Sequence, residues 1–333
     1  MTKYADYTQT SNVGKIRPSN IWTRGVYYEG LMAVYRLDPR REYYDYMNDW
    51  AEFHQWGMRG GVNNRNADDQ CCGQTYLDLY AIAPHEKKIK DITACIRRIV
   101  DAPKNDDWTW IDAIQMAMPL FAQLGQLTGD ATYSEKMYQM YRYTRDSIGG
   151  QGLFNQSEGL WWRDADFLPP YKEPNGSNCY WSRGNGWVYA ALARVLTLLP
   201  AEAPHRAEYL DDFVKMSEAL TKCQRTDGFW NVSLHDENHF GGKESTGTSL
   251  FVYGMAWGVN QGLLDRNRYL PFVVHAWQGL LSAVHPNGFV GWMQSTGKEP
   301  KDGQPLSFDK IPDFEDFGIG CFLLGGSEIY KLK

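Results

Sequence analysis

Six stretches of the chain are apolar on nearly every side and rich in small residues. They begin at Gly25 (GVYYEGLMAVYRL), Gly73 (GQTYLDLYAIA), Asp112 (DAIQMAMPLFAQLGQL), Gly184 (GNGWVYAALARVLTLL), Gly247 (GTSLFVYGMAWGVNQGLL) and Phe317 (FGIGCFLLGGSEIYKL). A helix that is apolar all round is buried all round. Between them run REYYDYMNDWAEFHQW, EKKIKDITACIRRIV, ATYSEKMYQMYRYTRDSI, HRAEYLDDFVKMSEALTKC and NRYLPFVVHAWQGLLSAV, whose apolar residues recur at three- and four-residue steps opposite charged faces. That spacing predicts helices burying a single stripe. Six inner helices alternating with five outer ones predict helical hairpins closing into a ring, an all-α (α/α)6 barrel. The twelfth helix is expected within the weakly patterned first ~20 residues, given how loosely sequence pattern fixes such elements. Short extended pieces are expected at residues 228–234 and 288–293, and no βαβ alternation points to a parallel sheet. No linker or shift of composition divides the chain, which predicts one domain over residues 1–333.

In such a ring the loops leading into the inner helices gather at one mouth. Polar and aromatic residues concentrate there, in RNADDQ, NDDWTWID and CYWSRGNGW. A cleft lined by these loops is the default binding site. Aromatic residues make up 14% of the chain, many of them beside Gly, Asn, Asp and Arg. That placement suits a sugar cleft, where rings stack on pyranose faces, as well as an aromatic core. Net charge is -6 with no Lys/Arg cluster, so no footprint for nucleic acid is present. No apolar run reaches the length of a membrane span. The first residues, MTKYADYTQTSNVGK, lack the apolar core of a secretory leader, which fits a cytoplasmic protein and equally a periplasmic one whose leader has been removed. Six cysteines without a CxxC pair read as small buried hydrophobes rather than a disulfide scaffold.

Three segments carry candidate chemistry. Asp112 lies at the first turn of an inner helix, between Trp110, Ile111 and an apolar run, with Met116 one turn on. A carboxyl group desolvated beside an indole has a raised pKa and suits proton donation; an acid at a helix N-terminus is also favourable in itself. Asp106 and Asp107 read as caps of that helix. Asp68 and Asp69 precede the neighbouring inner helix, where one caps it or one faces Asp112 across the mouth. Glycosidic chemistry uses such a carboxyl pair, one protonated and one ionised. In YWSRGNGW, Arg183 offers a fork to a carboxylate, or pairs an internal acid such as Asp112. Trp181 and Trp187 offer rings to a sugar. GxGxxG, P-loop, GxSxG and HExxH motifs are absent, and His235 and His239 fall in a loop-like segment, so neither a metal nor a cofactor is expected.

These blocks resemble glycoside hydrolase family 105, the unsaturated rhamnogalacturonyl and uronyl hydrolases, and more distantly the unsaturated glucuronyl hydrolases. The resemblance runs over nearly the whole chain. It is carried by NADDQCCG, DDWTWIDAIQMAMP, WSRGNGW, KESTGTSLFVYGMAWGVNQGLL and DFGIGCFLLGGSEIYKL. It implies an (α/α)6 barrel and, as partner, an oligosaccharide ending in a uronic acid with a C4=C5 double bond left by a lyase. In the implied reaction an aspartic acid protonates C4, water adds at C5, and the hemiketal collapses to an open-chain keto product as the glycosidic bond breaks. By resemblance the acid matches Asp112. The second aspartate matches Asp68, since Asn66 and Asp68 fall on the family's NxD. Trp110, Met116, Arg183 and Trp187 match sugar-contacting positions. Some members carry a histidine soon after a GL-aromatic pair; here GLFNQSEGLWWRDADF has Gln156 near that place. Trp162, Arg163 and Asp164 are expected to rebuild that part of the cleft, which bears on the identity of the substrate. Two rival classes are another toroid enzyme, a polysaccharide lyase or sugar epimerase with Tyr180 as its base, and a noncatalytic sugar-binding toroid.

Overall fold

The computed structural model describes residues 7–332. In chain order its elements are β1 (Thr8–Thr10), β2 (Ile16–Pro18), α1 (Trp22–Leu37), α2 (Arg41–Phe53), α3 (Ala67–Gln70), α4 (Cys72–Ile82), α5 (Lys90–Val100), α6 (Asp112–Thr128), α7 (Ala131–Asp146), β3 (Phe154–Asn155), β4 (Leu160–Trp161), α8 (Ser182–Leu198), α9 (Arg206–Thr221), β5 (Trp230–Asn231), β6 (Lys243–Glu244), α10 (Ser245–Asn260), α11 (Arg266–Ser282) and α12 (Asp316–Lys331).

Helices α1, α4, α6, α8, α10 and α12 pack in that order, and α12 returns to α1 to close the ring. The outer helices lie behind them: α2 on α1 and α4, α5 and α7 on α6, α9 on α8, α11 on α10. The contrast in burial follows the contrast in pattern. Every residue of α10 from Ser245 to Val259 is buried, whereas α5 buries Ile92, Cys95, Ile96 and Ile99, one stripe at helical spacing. Closure depends on backbone contact. A Cβ on Gly30 of α1 would lie 2.8 Å from Gly320 Cα and closer still to its carbonyl oxygen, so these two helices meet where neither has a side chain.

The expected twelfth long helix is not found among the described residues. The described part of the first twenty residues instead forms the antiparallel hairpin β1–β2, with Gln9 opposite Arg17. The segment lacks a 3.6-residue apolar period, and its groups are satisfied by the barrel: buried Gln9 bonds Asp316 of α12, and Arg17 bonds Thr23 of α1 and lies over the Phe314 ring. The expectation for residues 1–6 lies outside the described residues. Of the two extended pieces, 228–234 contains β5, paired with β6. Residues 288–293 contribute a single bridge, Val284 to Val290. Helix α10 stops at Asn260, short of the run GLL that its apolar pattern had included. No helix of the described residues is long and apolar enough to cross a membrane.

Candidate active site

The helix starts face one mouth of the ring: β4 is fastened to α8 by Asn185, whose side chain bonds both backbone groups of Trp161, and the segment after β4 is fastened to the start of α6. Ile111 N–H donates to the Arg163 carbonyl at 3.0 Å, and Trp110 bridges to Asp164 as a one-residue strand pair. This register delivers the Arg163 side chain to the first residue of α6. Arg163 Nε donates to Asp112 Oδ2 at 3.1 Å, while its Nη1 donates to Asp164 Oδ2 at 2.6 Å. Asp112 is buried, at 8% exposure. Burial pushes its carboxyl pKa up, and the guanidinium groups of Arg163 and Arg183 oppose the rise.

Asp68 sits on the one-turn helix α3, which packs against α6. Asn66 is the cap: its side chain accepts from the Asp68 N–H at 2.8 Å, so neither aspartate caps. Asp69 is held by Arg59 at 2.5 Å and by Asn64 at 2.5 Å. That leaves the half-buried Asp68 carboxyl group without a hydrogen-bond partner among the described residues. Its pKa is pushed up to about 7, first by burial, then by the charges of Asp112 and Asp69, against the pull of Arg163 and Arg59. Two carboxyl groups that feel each other's charge titrate as a pair, and this pair keeps a proton near neutrality.

Other expectations need correction. Asp106 and Asp107 do not cap α6: its N-cap is Ile111, which has no side-chain cap, and Asp107 is clasped by Arg65. Arg183 does not present its fork to the cleft and does not pair with Asp112. It is 1% exposed, stacks between Trp181 and Phe317, and donates to the carbonyls of Gln294 at 3.1 Å and Ser295 at 2.8 Å. The physical reason lies in α12 and the 294–295 segment, which close over the start of α8 and cannot be read from the YWSRGNGW run alone. Trp181 is likewise buried, its indole N–H bonded to Gln294 Oε1 at 2.9 Å. Trp187 is buried edge-on to half-buried Trp22 of α1, with ring centroids 6.2 Å apart. Met116 is buried one turn below Asp112. Trp110 keeps part of its surface exposed beside Asp112. Gln156 is exposed in the turn between β3 and β4, and the residues that tie this turn to the neighbouring loop are Asn155, to Tyr180, and Glu158, to Asn178.

The arginine at the carboxyl pair is therefore Arg163, which the sequence marked only as part of a rebuilt WWRDAD segment. Its signal was a cation set inside an aromatic run and followed by acids. Its partner stands 51 residues earlier, and that distance hides the pairing. Tyr180 is a poor base: burial pushes its hydroxyl pKa up, and its oxygen accepts from Asn155 at 2.8 Å. His235 and His239 face Glu158 and Glu173. A cavity of about 730 Å³ lies at the opposite ends of α6 and α8. It is lined by residues such as Ser134, Pro200 and His205, and the pKa of its Asp130 is held below the ordinary value by hydrogen bonds from Thr132 and Arg97.

A family model described as Glycosyl Hydrolase Family 88 matches residues 1–333. An unsaturated 3S-rhamnoglycuronyl hydrolase of Formosa agariphila is 30% identical over 356 residues, covering 100% of this chain and 90% of that protein. A solved glycosyl hydrolase of family 88 from Bacteroides vulgatus superposes with a TM-score of 0.87 at 35% identity, covering 94% of this chain and 92% of the other. A solved protein named a polysaccharide lyase also superposes at 0.87, with 32% identity and coverage of 98% and 92%. The matching family is thus 88, where the motif blocks had pointed to 105. Solved structures named for family 105 superpose at 0.77 with 21% identity or less, which carries the fold alone. Members of both families share this barrel, so short blocks at its mouth do not separate them.

Proposed function

The chain belongs to Glycosyl Hydrolase Family 88, and on that premise we propose that it removes a terminal 4,5-unsaturated uronic acid from lyase-generated oligosaccharides, with rhamnose as the next sugar. The protein is a glycosidase. The choice of rhamnose is supported by two relatives called unsaturated 3S-rhamnoglycuronyl hydrolases. A narrower kinship with family 105 is supported by the DDWTWIDAIQMAMP and WSRGNGW blocks.

The observation that carries the reading is the pair Asp68 and Asp112 at the mouth of the ring, both pKa values raised by burial and that of Asp68 to about 7, with Arg163 bonded to Asp112. An unsaturated uronide is an enol ether, and protonation at C4 leaves a cation at C5 stabilised by the ring oxygen. Asp112 gives the proton: its O–H bond breaks as the C4–H bond forms. Water adds at C5 as its proton passes to the Asp112 carboxylate just formed. The hemiketal then opens, the former C5 becomes a keto carbon, and the glycosidic bond breaks. Each carboxyl group thereby returns to its starting state. Half-buried Trp110 and Trp22 offer faces to the sugar ring.

The test follows the ultraviolet absorbance of the conjugated C4=C5 uronate on an unsaturated uronyl-rhamnose disaccharide. Wild type is expected to bleach it, and Asp112→Asn is expected to lose about 10²–10⁴-fold in kcat while keeping its fold by circular dichroism. Full activity in Asp112→Asn would remove Asp112 from the acid's role. A lyase is the second reading, favoured by the name of one solved neighbour. It predicts the opposite sign, a rise of absorbance from intact polyuronide, and the buried hydroxyl of Tyr180 argues against it.

A further inference from the structure

In the empty cleft the charges are arranged against the proposed reaction. Asp112 carries the guanidinium of Arg163, which opposes the rise that burial gives its pKa, while no cation is hydrogen-bonded to Asp68 among the described residues. A uronate entering here would add a third carboxylate to a site that already holds two and would need a cation. The neighbouring cations are committed elsewhere. Arg59 holds Asp69, Arg183 is 1% exposed and bonded to two carbonyls with only its buried Nε unpartnered, Arg17 is bonded to Gln9 and Thr23, and Lys298 holds Asp166 at 3.1 Å. Arg163 differs from them. Its side chain is 17% exposed, it touches the proposed acid directly, and its Nη2 donates to no described residue.

The geometry points to Arg163 as a hand-over residue: it pairs with Asp112 before substrate arrives and passes to the carboxylate of the bound uronate, which relieves Asp112 of the cation that opposes its protonation. This rests on the proposed function and names the recognition element of that site. Asp164 anchors the guanidinium through Nη1 during the exchange, so that only the Nε edge changes partner. The balance is closed: one ion pair breaks and one forms, and no covalent bond changes in the exchange. The groups that set it are Arg163 and Asp164 from the segment after β4, Asp68 and Asp69 from α3, Arg59 before α3, Arg183 from α8, and Lys298 beyond. The arrangement also makes the acid ready only when a carboxylate-bearing sugar is in place, which is a source of specificity.

The experiment compares the unsaturated uronide with its methyl ester in wild type, Arg163→Gln and Arg163→Lys. Comparing the acid-to-ester ratio of kcat/KM between proteins cancels the ester's own reactivity. Wild type is expected to prefer the acid. Arg163→Gln is expected to lower that ratio by about 10- to 100-fold, the size of a lost charge-assisted hydrogen bond, through a higher KM for the acid. Arg163→Lys, which keeps the charge, is expected to recover part of it, and it carries the test alone if the Gln variant does not fold. An undiminished ratio in both variants, with wild type active, would overturn the hand-over and leave the proposed function standing. An absence of bleaching by wild type on acid and ester would overturn both.

Discussion

Asp68 and Asp112 are the same residue type in two surroundings, and the roles proposed for them follow the surroundings. Asp112 is buried with a guanidinium against it, and Asp68 is half-buried with two aspartates for neighbours. The folded pKa of Asp68, about 7, lies above its ordinary value of 3.8. Folding therefore favours its protonated form: the group is harmless below the unfolded pKa and costs stability as pH rises through the folded one. Two outcomes are expected. First, kcat/KM should fall as pH rises through about 7, measured on the bleaching assay. Second, Asp68→Asn should be more stable than wild type above pH 7, by about 1–3 kcal/mol in denaturant titrations, with the gap closing below about pH 4. It should nonetheless lose most of its activity. A gap that widened in acid would contradict the sign.

At the scale of elements, buried groups at the mouth hold helix starts together. Arg183 fastens the start of α8 to the 294–295 segment, with its plane between two aromatic rings. Arg183→Ala is expected to cost about 2–4 kcal/mol, read as a Tm drop of about 5 °C or more, because it removes two hydrogen bonds and leaves a cavity. Arg183→Lys should rescue less than half, since an ammonium neither stacks nor forks. Where α1 crosses α12 the constraint is steric. Gly30→Ala is expected to lower Tm by still more or to prevent folding, since the atom it meets is backbone rather than a yielding side chain. An unchanged Tm in Gly30→Ala would mean that the two helices separate at little cost. The helices were legible because their periods are strong and long. The loops were not: the Gln156 turn and the 294–295 segment take their places from contacts with remote parts of the chain.

Over the whole molecule, the ring joins the first long helix to the last. Each inner helix is buried against two neighbours, so removing one exposes two apolar faces. Deletion of residues 316–331 is expected to abolish cooperative unfolding altogether rather than leave a stable barrel of five inner helices. Thermal unfolding of the intact chain is expected as a single transition, coincident by near- and far-ultraviolet circular dichroism. Two separated transitions would show that the ring is divided into independent units. The hairpin β1–β2 fits the same logic: its polar groups complete the junction of α1 and α12 at the mouth.

What the sequence determined by itself is the six inner helices and the five patterned outer ones, their order around the ring, and the two aspartates at neighbouring helix starts. Periodicity and local motif are properties of adjacent residues, and a closed array of hairpins leaves few alternatives for how they are joined. What only the tertiary structure decided is which arginine meets the acid. Arg183 and Arg163 are both cations in aromatic runs near the mouth, and nothing local distinguishes them. The 294–295 segment and Phe317 bury the first, and the strand pair between Trp110 and Asp164 brings the second to Asp112. Charge pairing is set by distance in space, and a closed ring brings together residues that are far apart along the chain.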